Sequence, residues 1–176
     1  MIYNSPAKGE DGLYFVKTLN DDKRKCLVQL NKVKISECSS TGEVVMDIAS
    51  GGVAGGKIED IDARNLDAAL ENCESWFGKK LSEGVIKGAY TPGIKDDQVT
   101  TERIDVTKVF NAQQEIVDFE SIQTGKSCDM ILEFAGLWFA KKAFGPTWNI
   151  VQVRIHDDPI LDTYPEEYAF VDEDDQ

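Results

Sequence analysis

The chain has 176 residues, 41% of them hydrophobic, which is enough for one domain with its own core. Its formal net charge of −13 counts against a general electrostatic attraction to nucleic acid. The polar N-terminus lacks the apolar run of a signal peptide, and no stretch approaches the roughly 18 apolar residues of a membrane span, so we expect a soluble intracellular protein.

The first two predicted strands cover residues 12–19 and 26–36, where β-branched and aromatic residues are frequent. A polar cluster at residues 20–24 separates them, so the pattern predicts that these two strands pair as a hairpin. A third strand is predicted at residues 43–49. The glycine-rich residues 50–56 that follow predict a flexible loop.

One helix is predicted, because apolar residues recur at three- and four-residue steps between residues 66 and 77. Asp62 or Asn65 is placed to cap its start, and Gly78 or Gly84 to end it.

Residues 84–126 carry mixed signals, with short apolar groups that suggest strands or a brief helix. Residues 130–140 are apolar at both odd and even positions, which is typical of a strand that is buried on both faces. Residues 148–155 are predicted to pair with this strand in a second hairpin. In this last strand Val153 is predicted to face the core, and Trp148 and Ile150 to face outward.

The predicted order is therefore strand, strand, strand, helix, insertion, strand, strand. This order predicts a mainly β fold: a five-stranded oligonucleotide/oligosaccharide-binding (OB) barrel with one helix between strands 3 and 4 and an insertion.

Aromatic and basic side chains concentrate in the second hairpin. A protein that binds single strands without sequence preference needs rings on which bases stack and cations along the phosphate path. The candidate binding residues here are Trp138, Lys141, Lys142, Phe144, Trp148 and Arg154. The alternative is that the rings are ordinary core residues and the lysines belong to a solvated turn.

A second basic cluster lies in the first predicted hairpin. Its members are Lys17, Lys23, Arg24, Lys25, Lys32 and Lys34. They form a positive strip next to the second hairpin if the two hairpins are neighbours in the barrel. Lysines also protect exposed sheet edges, which is the alternative interpretation.

The last twenty residues hold nine carboxylates and no lysine or arginine, whereas the other 156 residues carry 23 acidic residues against 19 basic ones. Such a segment is predicted to be a disordered tail that either keeps the chain soluble or binds partners. Its aromatic residues favour partner binding, because solvation alone needs no rings. The partner-binding candidates are Tyr164, Tyr168, Phe170, Asp172, Glu173, Asp174 and Asp175.

No catalytic or cofactor-binding motif is found. The four cysteines form no C-x-x-C pair, and residues 50–57 lack the spacing of a phosphate-binding loop. We therefore expect no enzyme activity, no cofactor and no metal. A metal-dependent enzyme that uses His156 with Asp157 and Asp158 is the least favoured hypothesis, because a lone histidine needs distant partners.

Residues 132–154 resemble the last barrel hairpin of single-stranded DNA-binding proteins from large nucleocytoplasmic DNA viruses, which are similar to those of podovirus-type bacteriophages. The residues that carry the resemblance are Gly136, Leu137, Trp138, Gly145, Pro146, Thr147, Trp148 and Val153.

The resemblance implies an OB-fold domain at residues 1–156 that coats single-stranded DNA in viral replication and recombination, in the replication compartment of the host cell. It also implies that the acidic tail, residues 157–176, competes with DNA and recruits replication proteins, and it leaves a homodimer open. In the phage proteins the aromatic residue of the tail is terminal, whereas here Phe170 is followed by six more residues. The alternative function is an acidic protein-interaction module or nucleic-acid mimic that attracts basic partners and does not bind DNA.

Overall fold

The computed structural model describes residues 1–157, 167, 168 and 170. Along this part of the chain five strands are followed by three helices and then by four more strands, with a 3-10 turn at Phe119–Ser121. The elements are β1 (Ile2–Tyr3), β2 (Ala7–Lys8), β3 (Tyr14–Leu19), β4 (Cys26–Cys38), β5 (Glu43–Asp47), α1 (Val53–Glu71), α2 (Cys73–Phe77), α3 (Glu83–Ala89), β6 (Gln98–Phe110), β7 (Ile116–Val117), β8 (Ser127–Phe139) and β9 (Phe144–Ile155).

Five long strands close into a barrel. β4 pairs with β5, β5 with β6, β6 with β9, β9 with β8, and β8 pairs again with β4. The β6–β9 contact is parallel and the other four are antiparallel. The prediction of a mainly β, five-stranded barrel is confirmed, and closure leaves its five strands without a free edge.

The first predicted hairpin is wrong, although both of its strands exist. β9 occupies one edge of β8, and β3 and β4 lie end to end along the other, facing residues 136–139 and 127–134 of β8. The turn between them is held locally by Asn20, whose Oδ1 accepts the N–H groups of Asp22 and Arg24 at 2.9 Å. A local turn does not decide which strand becomes the partner, and here both strands pair with β8.

The helices follow β5, the third predicted strand, as expected, and precede β6; within the closed barrel β5 and β6 are the second and third strands. α1 begins at Val53, inside the stretch predicted as a loop, and Glu59 holds this start by accepting the N–H of Gly51 at 2.6 Å. Asp62 and Asn65 do not cap the helix but are buried on its inner face. None of the helices in residues 1–157 is long and apolar enough to cross a membrane.

The stretch at residues 84–126 supplies the strand that closes the barrel. β6 lies between β5 and β9 in the sheet, and the short β7 pairs with its end. The strand missing from the predicted order is therefore in the segment that carried mixed signals.

A bulge in β9 changes which side chains reach the core. Ile131 faces Gln152 while Leu132 faces Ile150, so Val151 is an extra residue in this ladder. An extra residue reverses the alternation of side chains between the two faces. Val153 is 1% exposed, as predicted, but Trp148 and Ile150, predicted to face outward, are 3% and 0% exposed.

Candidate nucleic-acid interface

The outer face of the sheet carries two partly exposed rings at its hairpin end. Phe15 on β3 lies directly opposite Trp138 on β8. Their chain neighbours Val16 and Leu137 are completely buried, and successive side chains of a strand point to opposite faces. Phe15 and Trp138 therefore project away from the barrel core, on the same face.

Both rings lie over glycines of the neighbouring strand. A Cβ atom on Gly136 would lie 2.9 Å from Cζ of Phe15, and a Cβ atom on Gly145 would lie 2.9 Å from Cζ2 of Trp138. At Gly136 the added atom would also lie 2.1 Å from the Val16 carbonyl oxygen, so a side chain there would displace the backbone of β3 as well as the ring, and one at Gly145 would displace the Trp138 ring. The glycines thus let the rings rest on the backbone of the sheet while part of each ring stays exposed to solvent.

A cleft of about 520 Å³ begins at Trp138. Its other lining residues come from β6, β9 and the loop before β6: Thr91, Pro92, Gly93, Lys95, Asp96, Gln98, Thr100, Glu102, Pro146, Thr147 and Trp148. The cleft is therefore a continuation of the aromatic face onto the next strands of the sheet.

A buried polar network fixes one wall of the cleft. The N–H of Gly93 donates to both carboxylate oxygens of Asp62 at 3.0 and 2.9 Å, and the Tyr90 hydroxyl also donates to Asp62. Asn65 donates to the Tyr90 hydroxyl at 3.0 Å and accepts from the Tyr3 hydroxyl at 2.8 Å. Burial raises the pKa of Asp62. The predicted helix-capping residues thus attach the cleft wall to α1.

Phe144, predicted to stack on bases, is completely buried. Its ring stacks on Phe139 with a centroid distance of 5.4 Å and contacts the edges of Phe77 and Tyr90 at 5.3 and 5.1 Å. No face of this ring is open to a base in this arrangement. Phe144 belongs to the hydrophobic core, which was the alternative interpretation.

Trp148 is also buried, with 3% of its surface exposed, and its ring packs against Phe134 at 5.5 Å between centroids. It lines the cleft only with a small edge. Its indole Nε1 has no hydrogen-bond partner among the described residues. Trp148 therefore supports the bottom of the cleft and does not offer a ring face for stacking.

Three lysines lie on or next to the strands that carry the two rings. Lys141 and Lys142 are exposed at the tip of the β8–β9 hairpin, where the Ala140 N–H donates to the Ala143 carbonyl at 2.8 Å. Lys17 follows Phe15 by two residues on the same face of β3. None of the three forms an ion pair within residues 1–157.

The other predicted cations do not form one strip. Lys17 pairs in register with Gly136 and Lys34 with Ser127, so nine residues of β8, about 30 Å, separate them. Lys32 and Lys34 lie near the far end of β8, and Lys23 and Arg24 lie in the turn between β3 and β4. Lys25 is held by Glu133, with 3.1 Å between Nζ and Oε2.

Arg154 lies at the far end as well and is neutralised by Asp129. The Arg154 Nε donates to Asp129 at 2.9 Å, and His156 Nε2 and the Lys32 N–H approach the same carboxylate at 2.9 Å each. Burial alone would raise the pKa of Asp129, but the hydrogen bonds from His156, Lys32 and Arg154 outweigh it and lower the pKa to about 2. This cluster holds the end of the β8–β9 ladder together and leaves little free positive charge.

The Asp129 cluster predicts a specific acid sensitivity. A carboxylate with a lowered pKa in the folded state stabilises the fold above its ordinary pKa, here by about 2 kcal/mol, and this contribution disappears as the pH falls toward 2. The wild type should therefore exceed Asp129→Asn in free energy of unfolding at pH 7, and the difference should shrink between about pH 4 and pH 2. Urea unfolding at several pH values measures it.

The exposed carboxylate Asp105 provides the matched control, because it makes no ion pair within residues 1–157. Asp105→Asn should follow the wild type over the whole pH range. A constant difference between Asp129→Asn and the wild type down to pH 2 would contradict the assignment.

On β5 and β6 the outer face is acidic. Glu43 lies directly opposite Glu102, and Asp47 lies opposite Gln98. Neither glutamate forms an ion pair with a residue in the described ranges. Like charges directly opposite each other repel, so this side of the barrel is unfavourable for a phosphate backbone.

The candidates in the acidic tail are only partly described. Tyr168 and Phe170 are 81% and 82% exposed, with 5.5 Å between ring centroids. Tyr164, Asp172, Glu173, Asp174 and Asp175 lie outside the described residues. Among the described residues, no group of three or more His, Cys, Asp and Glu side chains is placed to hold a metal ion.

Sequence reasoning missed Phe15, Lys95 and the wall formed by residues 91–93. Phe15 lies in a strand that was predicted correctly, but with the wrong pairing partner it could not be placed beside Trp138. The alternation of Phe15 and Lys17 on one face, with Val16 and Thr18 on the other, was the available signal.

Solved structures with the same fold come from bacteriophage Enc34. Its single-stranded DNA-binding protein is 14% identical, with 99% of this chain and 98% of that chain covered and a TM-score of 0.52. A C-terminal truncation of that protein is 13% identical over 87% of this chain and 94% of that chain, also with a TM-score of 0.52. At this level of identity the likeness establishes the fold.

A third structure contains the Enc34 protein in complex with single-stranded DNA. It is 13% identical, covers 88% of this chain and 96% of that chain, and has a TM-score of 0.51. No curated protein matches the chain in sequence. A family model matches residues 31–172, and the chain therefore belongs to the family of unknown function DUF5871.

Proposed function

We propose that this protein binds single-stranded DNA without sequence preference and without catalytic activity of its own. The observation that carries the proposal is the aromatic face of Phe15 and Trp138 beside Lys17, Lys141 and Lys142, none of which is ion-paired with a described residue. Rings bind bases of any sequence by stacking, and lysines bind the phosphates between them. The shared fold with a phage protein that has been solved with single-stranded DNA supports the same function.

The proposal can be tested by fluorescence anisotropy with a labelled oligo-dT at several salt concentrations. Because three lysines flank the rings, log K should fall with log salt with a slope of about −2. The double variant Lys141→Ala/Lys142→Ala should reduce the magnitude of this slope by about 1.4. Absence of binding, or binding that does not depend on salt, would refute the proposal.

We further infer that residues 1–156 are the binding domain and that the acidic tail, residues 157–176, competes with DNA for the positive side of the hairpin. The tail carries nine of the 32 carboxylates of the chain. Deleting it should increase the affinity for oligo-dT, with the largest increase at low salt, because salt screens repulsion between the tail and DNA.

A variant in which Asn or Gln replaces all nine Asp and Glu residues of the tail keeps the length of the tail. It therefore separates the effect of the tail's charge on DNA affinity from the effect of its bulk. This variant should bind oligo-dT as tightly as the deletion does. Equal affinities of the intact and tail-deleted proteins at low salt would limit the tail to a role in solubility.

The biological setting is inferred from the resemblance of residues 132–154 to the proteins of large nucleocytoplasmic DNA viruses. We infer that the protein acts in viral DNA replication and recombination and that the tail recruits replication proteins. The exposed rings of Tyr168 and Phe170 support the recruitment, since aromatic side chains dominate many protein contacts.

The acidic face of β5 and β6 favours a second candidate function, an interaction module or nucleic-acid mimic that binds basic proteins. Glu43 and Glu102 present adjacent negative charges there, as a nucleic acid backbone does. This function predicts salt-sensitive capture of basic proteins. It also predicts that Lys141→Ala/Lys142→Ala leaves the behaviour toward DNA unaltered.

A further inference from the structure

We propose that the DNA strand crosses the barrel over β3, β8 and β9, with bases on Phe15 and Trp138, and not over the outer face of β5. This inference rests on the proposed function and names the surface that performs it. It adds Phe15 and Lys17 of β3 to the binding residues and removes the outer face of β5.

The face formed by the second and third barrel strands is where OB folds commonly bind oligonucleotides. In this protein those strands are β5 and β6, and their outer side chains include Glu43, Asp47 and Glu102. A phosphate backbone laid over them would meet three carboxylates. No lysine or arginine forms an ion pair with these carboxylates within residues 1–157.

The hairpin end of the sheet offers the opposite arrangement. Phe15, Trp138 and Gly145 occupy paired positions on three neighbouring strands, which are about 4.8 Å apart. These three positions form a line perpendicular to the strands, which begins at β3 and ends at the cleft beside Pro146. A nucleic acid that follows it meets one ring on β3, one on β8, and then the edge of the cleft, where Lys95 lies together with Asp96 and Glu102.

The carboxylate of β8 nearest to the two rings is already paired, whereas Asp96 and Glu102, which line the cleft at the end of the path, form no ion pair within residues 1–157. Glu133, the acidic residue of β8 closest in sequence to Trp138, is 7% exposed and binds Lys25 at 3.1 Å and Asn149 at 3.3 Å. Lys17 shares the face of Phe15, and Lys141 and Lys142 extend from the tip of the adjoining hairpin. Phosphates beside the two rings would therefore meet uncompensated positive charge.

Substitution of Phe15 tests this path, with binding of oligo-dT measured by anisotropy at 0.15 M salt. Phe15→Ala should weaken binding about tenfold, within the range that loss of one stacked base produces. Phe15→Leu should weaken it similarly, because leucine keeps apolar bulk but has no ring. Phe15→Trp should keep the affinity of the wild type, because it retains a ring for stacking.

Tyr14 provides the matched control, because it is the adjacent aromatic residue, is 51% exposed, and points to the opposite face of β3. Tyr14→Ala should change the affinity less than twofold. A second arm adds a cation to the disfavoured face: Asp47→Lys should also leave the affinity within twofold, whereas a strand lying over β5 would bind this variant much more tightly.

The outcomes separate the path from the function. If the wild type does not bind oligo-dT, the proposed function fails, and this inference fails with it. If the wild type binds and Phe15→Leu binds equally well, or if Asp47→Lys strongly tightens binding, the path is wrong and the function stands. Thermal unfolding of each variant shows whether a loss of affinity reflects a loss of fold.

Discussion

Replacing Phe144 by alanine is expected to lower the free energy of unfolding by about 3 to 5 kcal/mol, the range for removing a buried phenylalanine. The side chain is completely buried and lies between Phe139, Phe77 and Tyr90, so its removal leaves a cavity where β9 meets the helices. Urea unfolding followed by circular dichroism measures the loss. Tyr90 is held away from the gap by its hydrogen bond to Asp62, which also binds the N–H of Gly93 in the cleft wall.

Phe170→Ala is the matched control for this substitution. The same side chain is removed at a position that is 82% exposed, so the free energy of unfolding should change by less than about 0.5 kcal/mol. If Phe144→Ala keeps the stability of the wild type and loses affinity for single-stranded DNA, the ring contacts bases and its assignment to the core is incorrect.

Replacing Trp138 by alanine is expected to weaken binding to single-stranded DNA by about 1 to 3 kcal/mol, roughly 5- to 150-fold. Trp138 is the partly exposed tryptophan of the cleft, and its ring lies over Gly145 outside the hydrophobic core. Removing it should therefore affect the free energy of unfolding less than Phe144→Ala does. Anisotropy titration and urea unfolding of the same preparation give both values.

Trp138→Phe keeps a ring for stacking and removes the indole. This variant should retain most of the affinity, while quenching of the intrinsic fluorescence by oligo-dT should nearly disappear. Trp148 is buried and Trp76 packs against Tyr3 and Phe139, so neither is placed to contribute much quenching. Wild-type affinity in Trp138→Ala would exclude this face as the binding surface.

The parts of the fold that depend on neighbours in sequence could be predicted. The β8–β9 hairpin needs only a short turn between two apolar runs, and Trp138, Lys141 and Lys142 are placed correctly by it. The pairing of β3 and β4 with β8 joins residues about a hundred positions apart, and no local pattern reports such contacts. The position of Phe15 depends on that pairing and was missed.

Polar residues on an inner face hid the first half of α1. Ile58, Asp62, Asn65 and Ala69 follow one another at helical spacing, but the two polar residues interrupt the apolar pattern. They are buried because they bind Tyr90, Tyr3 and the N–H of Gly93, partners that the sequence did not identify. Periodicity therefore showed only the apolar end of the helix.

The place of β8 in the chain has a consequence for folding kinetics. β8 pairs with β3, β4 and β9 but is made after residue 126, so the barrel cannot close until most of the chain has left the ribosome. Until then β4, β5 and β6 lack the two strands, β8 and β9, that close the barrel, and part of their apolar faces stays open to solvent. A high proportion of such distant contacts slows folding, so we expect this domain to fold on the slow side for its size.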